Sequence, residues 1–417
     1  MPSPHGPRWS VRYTLGFGVL TGLLMAGFFL FIAEETPLAW DFIAYVAGAE
    51  AFLSGDDFVG LQPSIGRGEY VYPPIVLIGF IPYAMLDNLV LAYALHTILN
   101  VGLLVALGWL CVRELTVLGV DLSTSDIALI YAFFLTGLYS LISIGLGQID
   151  PLIALLVAGM FLAHERGQSI LAGGLIGLAV VVKLFPAAFA IWLIRFRDWR
   201  SVTATWLVGS LLGGISLIGF GLRTHIDYVQ FLVHDRSRLD EFAEGMSPDF
   251  FAVSLARPVA SAPVDITPIT YALFALLLVS PPLYLIYRRV DTRLDRHVAY
   301  LATIVAILIA LPTTNINHLL YAFFPLVIVV YRLMPGSTRT VLLVGMAILM
   351  FPIQPGQVTT TLSFLGLPDV LIDVVGWLTI RVFKTASVAL IGSLVILMGC
   401  VLYAIDGTTQ EGLLVES

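Results

Sequence analysis

Between Tyr13 and Ala33 the chain runs without a charged residue, and Glu34 and Glu35 end the run. About 20 apolar residues cross a bilayer as an α-helix, because a rise of 1.5 Å per residue then matches some 30 Å of hydrocarbon. The run is longer than the apolar core of a secretory signal, so it reads as an uncleaved first span. Arg8 and Arg12 precede it, which predicts a cytoplasmic N-terminus. Similar runs recur along all 417 residues, which are 59% hydrophobic and 12% charged. Soluble domains carry about 25% charged residues, so a water-soluble fold is excluded. Disorder is excluded as well, since it needs low hydropathy and high charge. With a mean hydropathy of +0.95 the chain reads as an all-α polytopic membrane protein.

The net charge of −7 leaves no basic surface for a nucleic acid. The two cysteines, Cys111 and Cys400, lie in apolar runs and indicate no disulfide-stapled external domain. The sequence shows no phosphate-cradling glycine loop, no Cys/His metal spacing and no Gly-x-Ser-x-Gly elbow. No internal repeat is evident, which disfavours a transporter built from inverted repeats.

Further spans are expected near 89–112, 125–146, 150–164, 169–184, 185–195, 201–221, 268–287, 297–313, 316–333, 338–353 and 384–405. Several fall short of the roughly 20 residues of a standard span. Residues 73–88 are apolar but broken by Pro73, Pro74 and Pro82. Counted as a span, they would put the clusters Arg195, Arg197, Arg200 and Arg288, Arg289, Arg293, Arg296 outside, against the positive-inside rule. The stretch is therefore expected to be a re-entrant or surface element. The external side then carries three substantial segments, 34–88, 222–267 and 354–383, while the cytoplasmic side has short basic turns.

Five polar positions stand out against this background. Asp41, in Trp40-Asp41-Phe42-Ile43-Ala44-Tyr45, fits a helix N-cap at the interface or a general base able to take a proton from a hydroxyl. Tyr72-Pro73-Pro74 fixes a bend. In Gly147-Gln148-Ile149-Asp150-Pro151, Asp150 reads as an N-cap before a proline at the first helical position. Gln148 there could hydrogen-bond a sugar or phosphate oxygen. Lys183 stands alone in an apolar run, either snorkelling to the interface or offering an ammonium to a phosphate. His318, in Asn315-Ile316-Asn317-His318, is an interfacial histidine in a capped turn or a ligand of a phosphate or hydroxyl. The sidedness places Asp41, Gln148, Lys183 and His318 on one membrane face, as transfer from a lipid phosphate would require.

These segments resemble the GT-C superfamily of membrane glycosyltransferases, and among them glycosyltransferase family 87. The carriers are Asp41-Phe42-Ile43-Ala44-Tyr45 with Gly55-Asp56, then Tyr72-Pro73-Pro74, then Gly147-Gln148-Ile149-Asp150. Gly173 through Lys183-Leu184-Phe185-Pro186 follows, then Arg195-Phe196-Arg197-Asp198-Trp199-Arg200, with a return near His318. The resemblance implies one integral GT-C bundle of about 11–12 spans. Residues 1–200 would be its catalytic module and 201–417 more variable helices. It implies transfer of a hexose, mannose being usual, from a polyprenyl- or dolichyl-phosphate donor to a glycolipid or glycan acceptor. The transfer would occur at the external face of the plasma membrane, without metal or other cofactor.

Asp41 would be the base of an inverting reaction. Lys183, His318, Gln148 and Tyr72 would bind the donor, with Arg236 or Arg257 assisting at the phosphate. Tyr45, Asp150 and Asp249 would face the acceptor. The family commonly has Asn in place of Asp150, and often a Trp and a second His beside His318, where Thr313, Thr314 and Asn317 stand here. A lipid flippase without chemistry, a lipid-linked glycan polymerase or ligase, and a scaffold are the rival readings.

Overall fold

The computed structural model describes residues 8–33, 38–65, 68–234, 252–260, 267–312, 314–351 and 353–415. Among them the regular structure is helical, and one isolated antiparallel bridge joins Ala252 to Asn315. Among the described residues six helices are long and apolar enough to cross a membrane: Trp9–Phe31, Leu89–Val117, Thr124–Leu146, Trp199–Val233, Ile269–Tyr287 and Val388–Asp406. Hydrocarbon offers the backbone no hydrogen-bond partner, so each span satisfies its N–H and C=O groups internally. The protein is therefore an all-α polytopic membrane protein, as its composition requires.

Other apolar runs are shorter than a span. The expected segment 185–195 is a 3₁₀ turn, Phe185–Phe189, followed by the six-residue helix Ala190–Arg195. Pro186, which has no N–H to donate, stands in that turn. Residues 73–88 likewise form a 3₁₀ helix, Pro74–Gly79, and a four-residue helix, Ile81–Ala84, in keeping with the reading that they do not span. The long helix Trp199–His234 is two helices end to end, because Gly221 breaks it at φ 79° and ψ 160°.

The chain divides into two compact units. One unit comprises 36–107 and 140–237. Its helix Trp40–Ser54 stops at Gly55, which takes the left-handed conformation at φ 83° that closes a helix without a Cβ clash. The buried side of that helix, Phe42, Tyr45, Val46 and Ala49, packs with Phe58, Tyr70, Tyr72 and Phe80. Helix Ser169–Val182 lies against Trp199–His234 so closely that a Cβ on Gly173 would fall 2.2 Å from the Ser201 carbonyl oxygen. Gly177, one turn on, faces Val208 in the same way, and this small-x-x-x-small spacing is what lets two membrane helices touch. On its other sides Trp199–His234 presents exposed Leu207, Leu211 and Ile218, as a lipid-facing helix does.

The other unit comprises 1–35, 108–139 and 238–417. Helix Trp9–Phe31 packs on Thr124–Thr136, and Arg12 donates to both oxygens of buried Asp126 at 2.8 and 2.9 Å. Asp126 also closes a capping box with Ser123. Helix Arg293–Ala310 runs through the interior, buried along nearly its whole length from His297. At its start Arg293 and His297 meet the buried carboxylate of Glu114, with Arg293 Nη2 2.7 Å from Oε1.

The Gly173 contact yields a test. Gly173→Val should lower the stability of the detergent-solubilised protein by about 2 kcal/mol, as overpacking of a tight contact does. Unchanged thermal unfolding would mean that the two helices do not approach at that point.

Candidate active site

Six of the sequence-selected residues, Asp41, Tyr45, Tyr72, Gln148, Asp150 and Lys183, lie in the unit formed by 36–107 and 140–237. Asp41 is the second residue of helix Trp40–Ser54, and the N-cap position belongs to Ala39. The N-cap alternative for Asp41 is thereby removed. Its carboxylate still sits in the first turn, where the positive end of the helix dipole favours a negative charge. Ala39 holds a left-handed φ of 60°, uncommon for a residue with a Cβ, and its N–H donates to the Gly145 carbonyl at 2.6 Å.

Gln148 connects Asp41 to the interior. Its Nε2 donates to Asp41 Oδ2 at 2.5 Å, and its Oε1 accepts from the Tyr72 hydroxyl at 2.8 Å. An ionised carboxylate accepts only, so the amide must turn its NH₂ to Asp41 and its oxygen to the phenol. The Tyr45 hydroxyl in turn donates to that of Tyr72 at 3.4 Å. Burial above all, then the neighbouring Tyr72 and Asp41, pushes Tyr45 well above the usual phenol range. Burial and then Asp150 do the same for Tyr72, so both hydroxyls stay protonated as donors. The result is a directed chain from Tyr45 through Tyr72 and Gln148 to Asp41.

The turn that carries Gln148 is fixed from below. Gly147 adopts φ 72°, and a Cβ there would come within 2.4 Å of the Phe42 Cβ, so only glycine lets the turn lie against helix Trp40–Ser54. On helix Leu89–Val117 the Asn100 side chain donates to the Gln148 carbonyl at 2.9 Å. His96 Nε2 lies 3.1 Å from the Gly147 carbonyl, and the Tyr93 hydroxyl donates to Ile144 at 2.8 Å. Tyr93, His96 and Asn100 fall at i, i+3 and i+7 on one helical face. The sequence reading passed over all three, although a polar stripe of that period in an apolar span was visible.

Asp150 corrects a second expectation. It is the first residue of helix Asp150–Glu165, after Ile149 at the N-cap, and its carboxylate is fully buried against Lys183. Lys183 ends helix Ser169–Val182 in an extended conformation, which turns its side chain onto Asp150 with Nζ 2.5 Å from Oδ1. The same ammonium lies 5.5 Å from the centre of the Tyr72 ring, within cation–π reach. Lys183 therefore stands beside the Tyr72 ring of the Tyr72–Gln148–Asp41 chain, with its charge balanced by Asp150.

Elsewhere in the same unit, at the opposite end of helix Ser169–Val182 from Lys183, Asp198 accepts from the Ser201 hydroxyl and backbone and pairs with His164 Nδ1 at 3.0 Å. Burial pushes its carboxyl up, but hydrogen bonds from Ser201 and His164 outweigh this and hold it at about 2. That anchors the start of helix Trp199–His234 rather than the chain around Asp41.

His318 and Arg257 belong to the other unit. The His318 ring stacks on Tyr321 with centres 5.7 Å apart, and its Nδ1 accepts from the Asn315 N–H at 3.3 Å. Arg257 is buried and donates to the carbonyls of Ala252 at 3.0 Å and Phe383 at 2.6 Å. Arg236 and Asp249 lie outside the described residues. Among the described residues no group of three or more His, Cys, Asp or Glu side chains is placed to hold a metal ion.

A family model described as Glycosyltransferase family 87 matches residues 70–314, more than half of the chain. The chain belongs to glycosyltransferase family 87. No curated protein matches it as a significant relative. Membership makes it a glycosyltransferase, and in a membrane such an enzyme binds a sugar donor, an acceptor and the bilayer. The matched stretch contains Tyr72, Gln148, Asp150, Lys183 and Arg257; it begins after Asp41 and Tyr45 and ends before His318.

The buried ion pair makes an asymmetric prediction. Lys183→Met alone strands the Asp150 charge and should cost about 3–5 kcal/mol, whereas Lys183→Met with Asp150→Asn should recover much of it. Thermal unfolding of the two variants checks this, and equal loss in both would separate Lys183 from Asp150.

Proposed function

We propose that this family 87 enzyme transfers a hexose, mannose being the expected sugar, from a polyprenyl- or dolichyl-phosphate donor to a glycolipid or glycan acceptor. The reaction takes place at the non-cytoplasmic face of the membrane. The observation that carries this reading is the directed hydrogen-bond chain ending on Asp41, with Lys183 beside it in the same unit.

In the proposed step Asp41 takes the proton of an acceptor hydroxyl as its oxygen attacks the anomeric carbon. The bond from that carbon to the lipid-phosphate oxygen breaks on the opposite face, and the electron pair leaves with the phosphate. The configuration inverts, and the products are the glycosylated acceptor, the lipid phosphate and a protonated Asp41. Gln148 holds the carboxylate in position, so it is a positioning residue. Lys183 supplies positive charge where the leaving phosphate gains negative charge, the electrostatic stabilisation that counts most in the transition state. Tyr45 lines the acceptor side, while an external arginine such as Arg236 assists the donor. The step as written uses no metal.

The test supplies labelled polyprenyl-phosphate mannose and a membrane glycolipid extract to the protein in liposomes. A polyprenyl-diphosphate sugar in a parallel arm separates transfer from a lipid monophosphate from the polymerase or ligase reading. Asp41→Asn should lose about 10²–10⁴ in rate while still folding, and a rate above about a tenth of wild type would remove Asp41 as base. Gln148→Leu should lose up to about 10²-fold, as displacement of a catalytic group does. Added to Asp41→Asn it should lose little more, since both act on one proton transfer.

A further inference from the structure

A second polar site lies in the unit formed by 1–35, 108–139 and 238–417, which holds none of the Asp41 hydrogen-bond chain. Where helix Trp9–Phe31 begins and helix Ser337–Leu349 begins, a cleft of about 280 Å³ opens between them. Its wall is graded. Ser10, Arg339 and Thr340 form one end, and Val344 and Ala347, one and two turns further along Ser337–Leu349, form the other. Thr14 continues the first helix into the cleft.

Arg339 is the group that needs an explanation. It is only 3% exposed, yet it lines the cleft. One guanidinium nitrogen, Nη1, donates to the Leu333 carbonyl at 3.3 Å, while Nε and Nη2 meet no acceptor among the described residues. A buried guanidinium with unmet donors carries a large desolvation penalty. Arg8 adds to it, because its like charge acts on Arg339, although Arg8 itself lies 4.0 Å from Asp126 and Tyr331 acts in the opposite sense. Helix Ser337–Leu349 also begins at Gly336 with no side-chain cap, which leaves its first N–H groups and the positive end of its dipole at the same end of the cleft. The hydroxyls of Thr14 and Thr340 donate back to their own helices, so they offer lone pairs and bulk rather than positive charge. One anion at this end would answer the unmet donors, the Arg8–Arg339 repulsion and the uncapped helix start together.

The apolar end decides the source of that anion. Val344 is 48% exposed on a helix of a membrane protein, and the cleft leads from the guanidinium towards it. A free phosphate would leave that end empty, whereas a phospholipid fills both, with its phosphate on Arg339 and its acyl chain along Val344 and Ala347. We propose that this cleft is a binding site for an anionic phospholipid of the surrounding bilayer, held by Arg339 and separate from the catalytic residues.

The test measures thermal unfolding of the detergent-purified full chain. Phosphatidylglycerol, phosphatidylcholine or inorganic phosphate is added to wild type, Arg339→Met and Thr340→Leu. Phosphatidylglycerol should raise the wild-type midpoint by about 3–5 °C, as ligand linkage at a saturated site does in a chain of this size. Phosphatidylcholine and inorganic phosphate should raise it by less than 1 °C, about the scatter of such a scan. Both variants should lose the shift. Thr340 is exposed, so Thr340→Leu fills the cleft in a folded protein and decides the matter alone should Arg339→Met fail to fold. An equal shift in wild type and Thr340→Leu would place the lipid elsewhere and overturn the proposal. So would an equal shift with inorganic phosphate, which would make the site one for a free anion, or no shift with any addition.

Discussion

A backbone in hydrocarbon has to satisfy its own hydrogen bonds, and the architecture of this enzyme follows from that requirement. It makes every crossing a helix. It also confines irregular backbone to places where side chains or other helices can complete the bonding. The turn 145–150 is such a place: Tyr93, His96 and Asn100 project from one face of Leu89–Val117 and take up the carbonyls of Gly145, Gly147 and Gln148. A break in regular structure is thus held rigidly, and the side chain it presents, Gln148, reaches Asp41.

That arrangement explains why the candidate site is assembled from short, awkward pieces and not from the spans themselves. Helix Trp40–Ser54, the Tyr70–Pro74 bend, the Gly147–Asp150 turn and the broken end of Ser169–Val182 each end or begin a helix at the site. Helix ends expose unpaired donors and carry partial charge, which regular mid-span backbone does not. Asp41 and Asp150 both stand in the first turn of a helix, where a carboxylate is favoured, and Lys183 leaves the last turn of another.

Much of this was legible before the fold was known. The apolar runs declared the membrane class, and the motif order around Asp41, Tyr72, Gln148 and Lys183 pointed to glycosyltransferase family 87. Asp150 was misread because Asp-Pro at a helix start has an ordinary local explanation, an N-cap, that needs no partner. Its partner stands 33 positions away in sequence, and no local rule joins the two. Tyr93, His96 and Asn100 went unnoticed for the same reason: a polar stripe on a span says that something polar faces it, but not what. Segment 185–195 looked like a span by hydropathy, whereas Pro186 and its 3₁₀ turn made it two short pieces.

The sequence by itself determined that the chain is helical and lives in a membrane, because hydropathy and helix length are sums over neighbouring residues. It also determined which residue types were available for chemistry. Only the tertiary structure decided which of them meet. Hydrogen bonds and ion pairs act over about 3 Å, and the groups that form them here, Asp41 with Gln148 and Asp150 with Lys183, are brought together by helix packing that no local window contains.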